Sequence, residues 1–163
     1  MRFTLIDRIL SLEPGKSIRA IKNLSLAEEY LADHFPGFPV MPGVLMVESM
    51  VQAGGWLLRK TDDFAYSTIL LKETKAAKFV NFVAPGQTLT VTCEVQELNG
   101  RLCTLKGSGT VDGKSCVSAK LTLERFNLAE RNPEMATNDE IRVRHARELF
   151  ADLWKPIDAA TTT

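Results

Sequence analysis

The sequence predicts an α+β fold, in which a curved antiparallel sheet surrounds one long helix and a helical extension follows. Three observations predict it: a helix-forming, apolar segment at 44–60, alternating patterns on both sides of it, and two-residue turn signals at Asn99-Gly100 and Asp112-Gly113. The length of 163 residues suits one domain with a single core.

The elements before the long helix follow from local patterns. Residues 3–12 and Lys16–Leu24 alternate around Pro14-Gly15, which predicts an antiparallel hairpin. Residues 25–32 are either a short helix or an irregular link. Residues 34–43 contain three prolines and two glycines, a density that excludes helix and strand and predicts a rigid loop. After the helix, strands are expected at Ser67–Lys72, Lys75–Phe82, Thr88–Leu98, Arg101–Val111 and Lys114–Arg125.

The predicted domain ends at residue 125, and residues 126–163 form a linker and an amphipathic extension rather than a second domain. Asn127–Ala136 has the composition of a linker. Thr137 followed by Glu140 has the capping-box pattern, so Thr137 is the expected N-cap of a helix. Pro156 is expected to end this helix, and the last residues are expected to fray. The apolar residues at helical spacing are Ala146, Leu149, Phe150 and Leu153.

Composition excludes several functional classes. The 20 basic and 20 acidic residues balance to a net charge of zero, which argues against a nucleic-acid partner. Three widely spaced cysteines and two histidines do not have the spacing of a zinc site, and an odd cysteine count suits a reducing compartment. No apolar run is long enough to span a bilayer, and the N-terminus does not resemble a signal peptide. The sequence therefore predicts a cytoplasmic protein without metal.

The start of the long helix is a candidate oxyanion site. Pro42 is expected at the first helical position, where its missing N–H costs nothing. The amides of Gly43 and Val44 are then free donors at the positive end of the helix dipole, and glycine allows close approach to the backbone. The alternative is that Pro42-Gly43 only begins the helix.

A carboxyl and an imidazole are the candidate acid and base. Glu48 lies in the helix that should be buried, and Gln52 lies one turn later, where it can hydrogen-bond the carboxyl. His34 begins the rigid loop, and Phe35 and the prolines would hold its ring. The alternatives are a structural Glu48–Gln52 pair and a solvated histidine. His145, on the extension, is expected to be solvated.

Helix geometry separates the acid from the amide donors. Glu48 is about 7.5 Å along the helix and about 140° around it from Gly43, so one helix cannot easily direct both groups to one small site. A shared site, with His34 and Gly43 from one chain and Glu48 from another, is one solution.

Residues 34–52, HFPGFPVMPGVLMVESMVQ, resemble the signature of the FabZ-type β-hydroxyacyl-acyl-carrier-protein dehydratases, roughly HFPGxPxMPGVLxxEAxAQ. The likeness covers about residues 3–125. It implies the hot-dog fold, a site between two chains, no cofactor, and reversible dehydration of 3-hydroxyacyl thioesters in fatty-acid synthesis. It also implies that His34 removes the C2 proton, that Glu48, oriented by Gln52, protonates the C3 hydroxyl, and that the Gly43 amide binds the thioester carbonyl. A cis peptide bond after His34 is a further expectation.

The resemblance implies a thioester on acyl carrier protein or coenzyme A as partner, and a homodimer or a larger assembly such as a hexamer. An acidic carrier would be attracted by basic residues near the site, and the candidates are Arg59, Lys60, Lys72, Lys75 and Lys78. A hot-dog acyl thioesterase and a non-catalytic acyl-thioester-binding subunit are the alternative functions.

Overall fold

One helix and one sheet form the body of the protein, as a computed structural model describes it for residues 3–155. The helices are α1 (Tyr30–Asp33), α2 (Gly43–Thr61) and α3 (Ala136–Leu153). The strands are β1 (Arg8–Glu13), β2 (Ser17–Asn23), β3 (Thr68–Phe79), β4 (Thr88–Asn99), β5 (Leu102–Val111) and β6 (Lys114–Phe126). Two single 3₁₀ turns, Leu128–Glu130 and Pro133–Met135, connect β6 to α3.

The six strands form one antiparallel sheet in the order β1-β2-β4-β5-β6-β3. The predicted first hairpin and both later hairpins are confirmed. Asp112 and Gly113 both have positive φ, at 49° and 76°, which is the backbone that a type I′ turn requires. Since β1 and β3 are at the two edges, each is paired on one side only.

The strand prediction was wrong at β3. Two strands, Ser67–Lys72 and Lys75–Phe82, were expected, but one strand runs from Thr68 to Phe79. Its ladder with β6 shifts register twice, between Leu71 and Glu73 and between Lys75 and Lys78, and then continues. Bulges of this kind bend a strand without ending it, because pairing resumes on the far side.

Helix α2 lies against the concave side of this sheet through its small and apolar residues. Its buried positions are Met46, Ser49, Met50, Ala53, Gly54, Gly55, Leu57 and Leu58. A Cβ atom at Gly54 would lie 2.5 Å from a Leu105 side-chain carbon, so glycine allows the helix to approach β5 closely. Although α2 is the longest helix, no helix within residues 3–155 is both long and apolar enough to cross a membrane.

Helix α3 packs over the C-terminal half of α2. Phe150 is buried, and its ring centroid is 6.0 Å from that of Trp56 and 5.6 Å from that of Phe64. The predicted start of this helix was wrong, because it begins at Ala136 and the position before it, Met135, makes no side-chain cap. The preceding 3₁₀ turn runs directly into α3 and leaves no place for a cap at Thr137. The predicted end at Pro156 and the frayed tail lie outside the described residues.

Asp139 joins α3 to the rest of the protein. Its carboxylate accepts hydrogen bonds from the backbone amides of Leu128 (2.9 Å) and Ala129 (2.8 Å) and from the hydroxyl of Ser67. Burial alone would raise the pKa of Asp139, but these hydrogen bonds and the charge of Arg142 outweigh it and hold the pKa below its ordinary value. The extension is therefore attached by an ionised, fully engaged carboxylate.

Candidate active site

The first turn of α2 presents unpaired amide donors. Pro42 is the N-cap residue, one position earlier than predicted, and Gly43 is the first helical residue. The carbonyl of Pro42 accepts from the Leu45 and Met46 amides, as in any helix start. Within residues 3–155, the amides of Gly43 and Val44 donate to no protein atom. Both donors remain available at the positive end of the helix dipole.

Glycine at position 43 accommodates an aromatic ring. A Cβ atom at this position would lie 2.9 Å from Cε1 of Phe79, well inside van der Waals contact. The ring of Phe79, from the end of β3, therefore covers the start of α2. The sequence predicted that a group would approach Gly43 closely, but nothing in it identified Phe79 as a neighbour.

His34 lines a small cavity beside these amides. The cavity has a volume of about 230 Å³, and Phe35, Gly43, Phe79 and Asn81 are among the other residues that line it. His34 is half-buried, and its ring centroid is 4.4 Å from that of Phe35. The predicted base and the predicted carbonyl-binding amide are thus brought together at one cavity within one chain.

The expected cis peptide bond after His34 is absent. No peptide bond within residues 3–155 is cis, and Phe35 instead has a φ of 51°. Gly37 follows with a φ of 88°. The loop reverses direction through these two left-handed residues, one of them a bulky residue for which such a backbone is uncommon. A trans peptide therefore suffices for the turn.

Glu48 and Gln52 form the predicted pair. Gln52 Nε2 donates to Glu48 Oε1 at 3.1 Å, and Glu48 is half-buried. Gln52 Nε2 also donates to the carbonyl of Phe3 at 2.9 Å, and Gln52 Oε1 accepts from the amide of Leu5 at 2.9 Å. Because the N-terminal backbone holds both ends of the amide, Gln52 can turn only its N–H groups toward Glu48. The pair was predicted from spacing, whereas its backbone anchors were not.

The acid lies at a different cavity from the base. Glu48 and Gln52 line a groove of about 740 Å³ between α2, the N-terminal segment and α3, and neither His34 nor Gly43 lines it. The histidine that does line it is His145 of α3, which is exposed. One chain therefore presents two half-sites, one with His34 and the helix amides and one with Glu48 and Gln52.

The fold of this protein is shared with several solved structures. The protein has the hot-dog fold, as do solved structures with which it aligns. The dehydratase heterocomplex ApeI:P from Xenorhabdus doucetiae aligns at a TM-score of 0.66 with 18% identity, over 82% of this chain and 90% of that one. A hypothetical thioesterase with coenzyme A from Streptococcus pneumoniae aligns at 0.56 with 12% identity, over 72% and 86%. At such identities these likenesses concern the fold alone.

Sequence comparison supplies the family. Residues 1–120 match the model of the FabA-like domain. The 3-hydroxyacyl-acyl-carrier-protein dehydratase FabZ of Latilactobacillus sakei is 42% identical over 118 residues, which are 72% of this chain and 84% of that protein. The FabZ of Bordetella pertussis is 43% identical over 133 residues, or 77% and 87%. The chain belongs to the FabA-like family and, within it, to the FabZ-type dehydratases.

Proposed function

We propose that this protein catalyses the reversible dehydration of 3-hydroxyacyl-acyl-carrier-protein to the trans-2-enoyl thioester in fatty-acid biosynthesis. The observation that carries the proposal is the glutamate whose one carboxylate oxygen is held by Gln52, since Gln52 is itself fixed by two backbone groups. The other carboxylate oxygen is left for a substrate hydroxyl. Membership of the FabZ-type family supports the same reaction.

The reaction divides between the two half-sites. The amides of Gly43 and Val44 hydrogen-bond the thioester oxygen and stabilise the enolate-like transition state, a contribution of about 3 kcal/mol for one such donor. His34 takes the C2 proton, and its ring is held by Phe35, while Pro42 sets the direction of the free amides. Glu48, as the acid, gives a proton to the C3 hydroxyl, which leaves as water when the double bond forms.

A second copy of the chain would complete the site. β3 is twelve residues long, is paired only with β6 and is exposed along most of its length. An unpaired edge of this length favours pairing with another strand. Exposed apolar side chains line the His34 cavity, among them Val80, 59% exposed, and Phe82, 64% exposed. We include a homodimer in the proposal, and assemblies as large as a hexamer are compatible with it.

Acyl carrier protein is the proposed carrier, with coenzyme A as the alternative. Lys72, Lys75 and Lys78 lie on exposed β3, and Lys60 is exposed at the end of α2, where they can attract an acidic partner. Arg59, the fifth basic candidate, instead lines the groove that holds Glu48. The predicted cytoplasmic location stays a prediction.

Supplying the purified protein with 3-hydroxyacyl thioesters separates the candidate functions. We expect enoyl thioester to form, detected by its ultraviolet absorbance, without release of free thiol. Thiol release without enoyl formation would replace the proposal with a thioesterase. Binding of a non-hydrolysable acyl thioester with no turnover of any chain length would indicate a non-catalytic binding subunit.

A further inference from the structure

The groove that holds Glu48 continues well beyond the acid. Its walls come from α2, from the N-terminal segment and from α3, and Arg59 lines it at the end away from Glu48. Eleven residues separate Glu48 from Arg59, which is about three turns, so both lie on one face of α2 about 16 Å apart. Along the way a Cβ atom at Gly55 would meet nothing within 4 Å, so the groove is open there.

The proposed reaction decides which part of the substrate enters this groove. The thioester carbonyl, C1, binds at the Gly43 amide, and the C3 hydroxyl meets Glu48. The carrier arm is attached at C1 and therefore leaves on the side of Gly43. The chain beyond C3 continues past Glu48 on the opposite side, where the groove begins.

The far end of the groove is cationic. Arg59 is half-buried and lines the groove together with Arg142 and Arg144 of α3. None of these three makes an ion pair with any carboxylate within residues 3–155, although Glu148 lines the same groove. Asp139, one turn before Arg142, is already occupied by the hydrogen bonds that attach α3.

Few contacts compensate for the burial of the Arg59 guanidinium. The guanidinium lies 5.7 Å from the centroid of the Trp56 ring, and the one hydrogen bond that this group makes within residues 3–155, to the Tyr66 carbonyl, is 3.5 Å long. Burial lowers the pKa of Arg59, and the positive charge of Arg142 lowers it further. Although the Asp139 carboxylate feels the charge of Arg142, neither guanidinium is within ion-pair distance of a carboxylate in residues 3–155, so both can bind an anion.

We propose that the groove binds the acyl chain and that Arg59 and Arg142 bind a carboxylate at the far end of that chain. The preferred substrates are then 3-hydroxyacyl thioesters that end in an acid. This inference rests on the proposed function and specifies its substrate class. Arg142 belongs to α3, which lies beyond the matched family domain at residues 1–120, so this chain's extension supplies the selectivity.

The length of the groove suits a medium chain. An extended chain advances about 1.1–1.2 Å per bond, on the scale of the polypeptide backbone. From C3 to the end of a twelve-carbon chain is about nine bonds, or about 10 Å. The Arg59 guanidinium lies over the Trp56 ring, about one turn of α2 nearer to Glu48, and so covers part of the remaining distance to the terminal carboxylate.

The test compares two twelve-carbon 3-hydroxyacyl thioesters, one ending in a carboxylate and one in a methyl group. We expect kcat/KM to favour the acid-ended chain at least about tenfold in the native protein. Arg59→Met and Arg142→Met should each lower this preference about tenfold. Arg147→Met is the matched control on α3, because Arg147 pairs with Asp63 and does not line the groove, and it should leave the preference unchanged.

Other outcomes distinguish the possible failures. Equal kcat/KM for the two substrates in the native protein would overturn the inference. Equal loss on both substrates in the arginine variants would also overturn it and would assign the arginines to binding of the carrier.

Gly55→Leu fills the groove and should lower kcat/KM for twelve-carbon substrates at least about tenfold more than for four-carbon substrates. An equal loss of kcat/KM for both chain lengths would show that the acyl chain binds outside the groove. If no hydroxyacyl thioester is dehydrated at all, the proposed function fails and the inference with it. Arg142 is exposed, so its variant keeps the test valid if Arg59→Met does not fold.

Discussion

Glu48→Gln should lower kcat/KM for dehydration at least about 10²-fold while the protein remains folded. The amide has nearly the same shape as the carboxyl and can still interact with Gln52, but it has no acidic proton for the departing hydroxyl. Because Glu48 is half-buried on the face of α2 away from the sheet, the change should disturb packing little. The measurement is kcat/KM together with the thermal midpoint of unfolding.

Glu94→Gln is the matched control for this experiment. Glu94 is an exposed carboxylate on β4 and should tolerate the change without loss of activity. Full activity in Glu48→Gln would remove the glutamate from the mechanism and leave the Glu48–Gln52 pair as a structural feature. If Glu48→Gln loses activity and also unfolds, Gln52→Glu is the second test, because it removes the amide that donates to Glu48 but keeps the acid. This variant should weaken the interaction between the side chains at positions 48 and 52 without abolishing protonation of the leaving hydroxyl.

His34→Ala should also cost at least about 10²-fold in kcat/KM, because no other described group at its cavity can accept a proton from C2 near neutral pH. The His34 side chain makes no hydrogen bond with any group in residues 3–155. Its removal should therefore leave the fold intact. We expect a thermal midpoint of unfolding close to that of the native protein together with loss of turnover.

His145→Ala is the control for the His34 experiment. The chain has only two histidines, and within a single chain His145, not His34, shares the cavity of Glu48. If one chain formed a complete site, His145 would be the base. We expect His145→Ala to retain most of the activity; the opposite result, with His34 dispensable, would assign catalysis to a single-chain site closed by α3.

Local patterns predicted most of the fold. Alternation and turn dipeptides identified the hairpins, because both signals are carried by neighbouring residues. The bulges in β3 were not predicted, since they depend on pairing with β6, which is distant in sequence. The cap at Thr137 was also wrong: the local pattern was present, but the chain enters α3 from a 3₁₀ turn, and Asp139 is used to attach the helix to Leu128 and Ala129.

The candidate site was predictable to a similar extent. Spacing on one helix indicated the Glu48–Gln52 pair and the separation of Glu48 from Gly43, since helix geometry is regular. The anchors of Gln52 are 47 and 49 residues away, and Phe79 reaches Gly43 only through the fold, so neither had a local signal. The groove under α3 depends on how the extension packs, which no pattern within the extension specifies.

Mixing the two inactive variants tests the central claim, that two chains supply one site. In a symmetric dimer of His34→Ala with Glu48→Gln, one site combines the intact His34 with the intact Glu48, and the other has neither. After unfolding and refolding an equal mixture, half of the dimers are mixed and each has one native site, so activity should recover to about a quarter of the native value. Each variant refolded alone should stay inactive. A mixture as inactive as its two components would contradict the shared site.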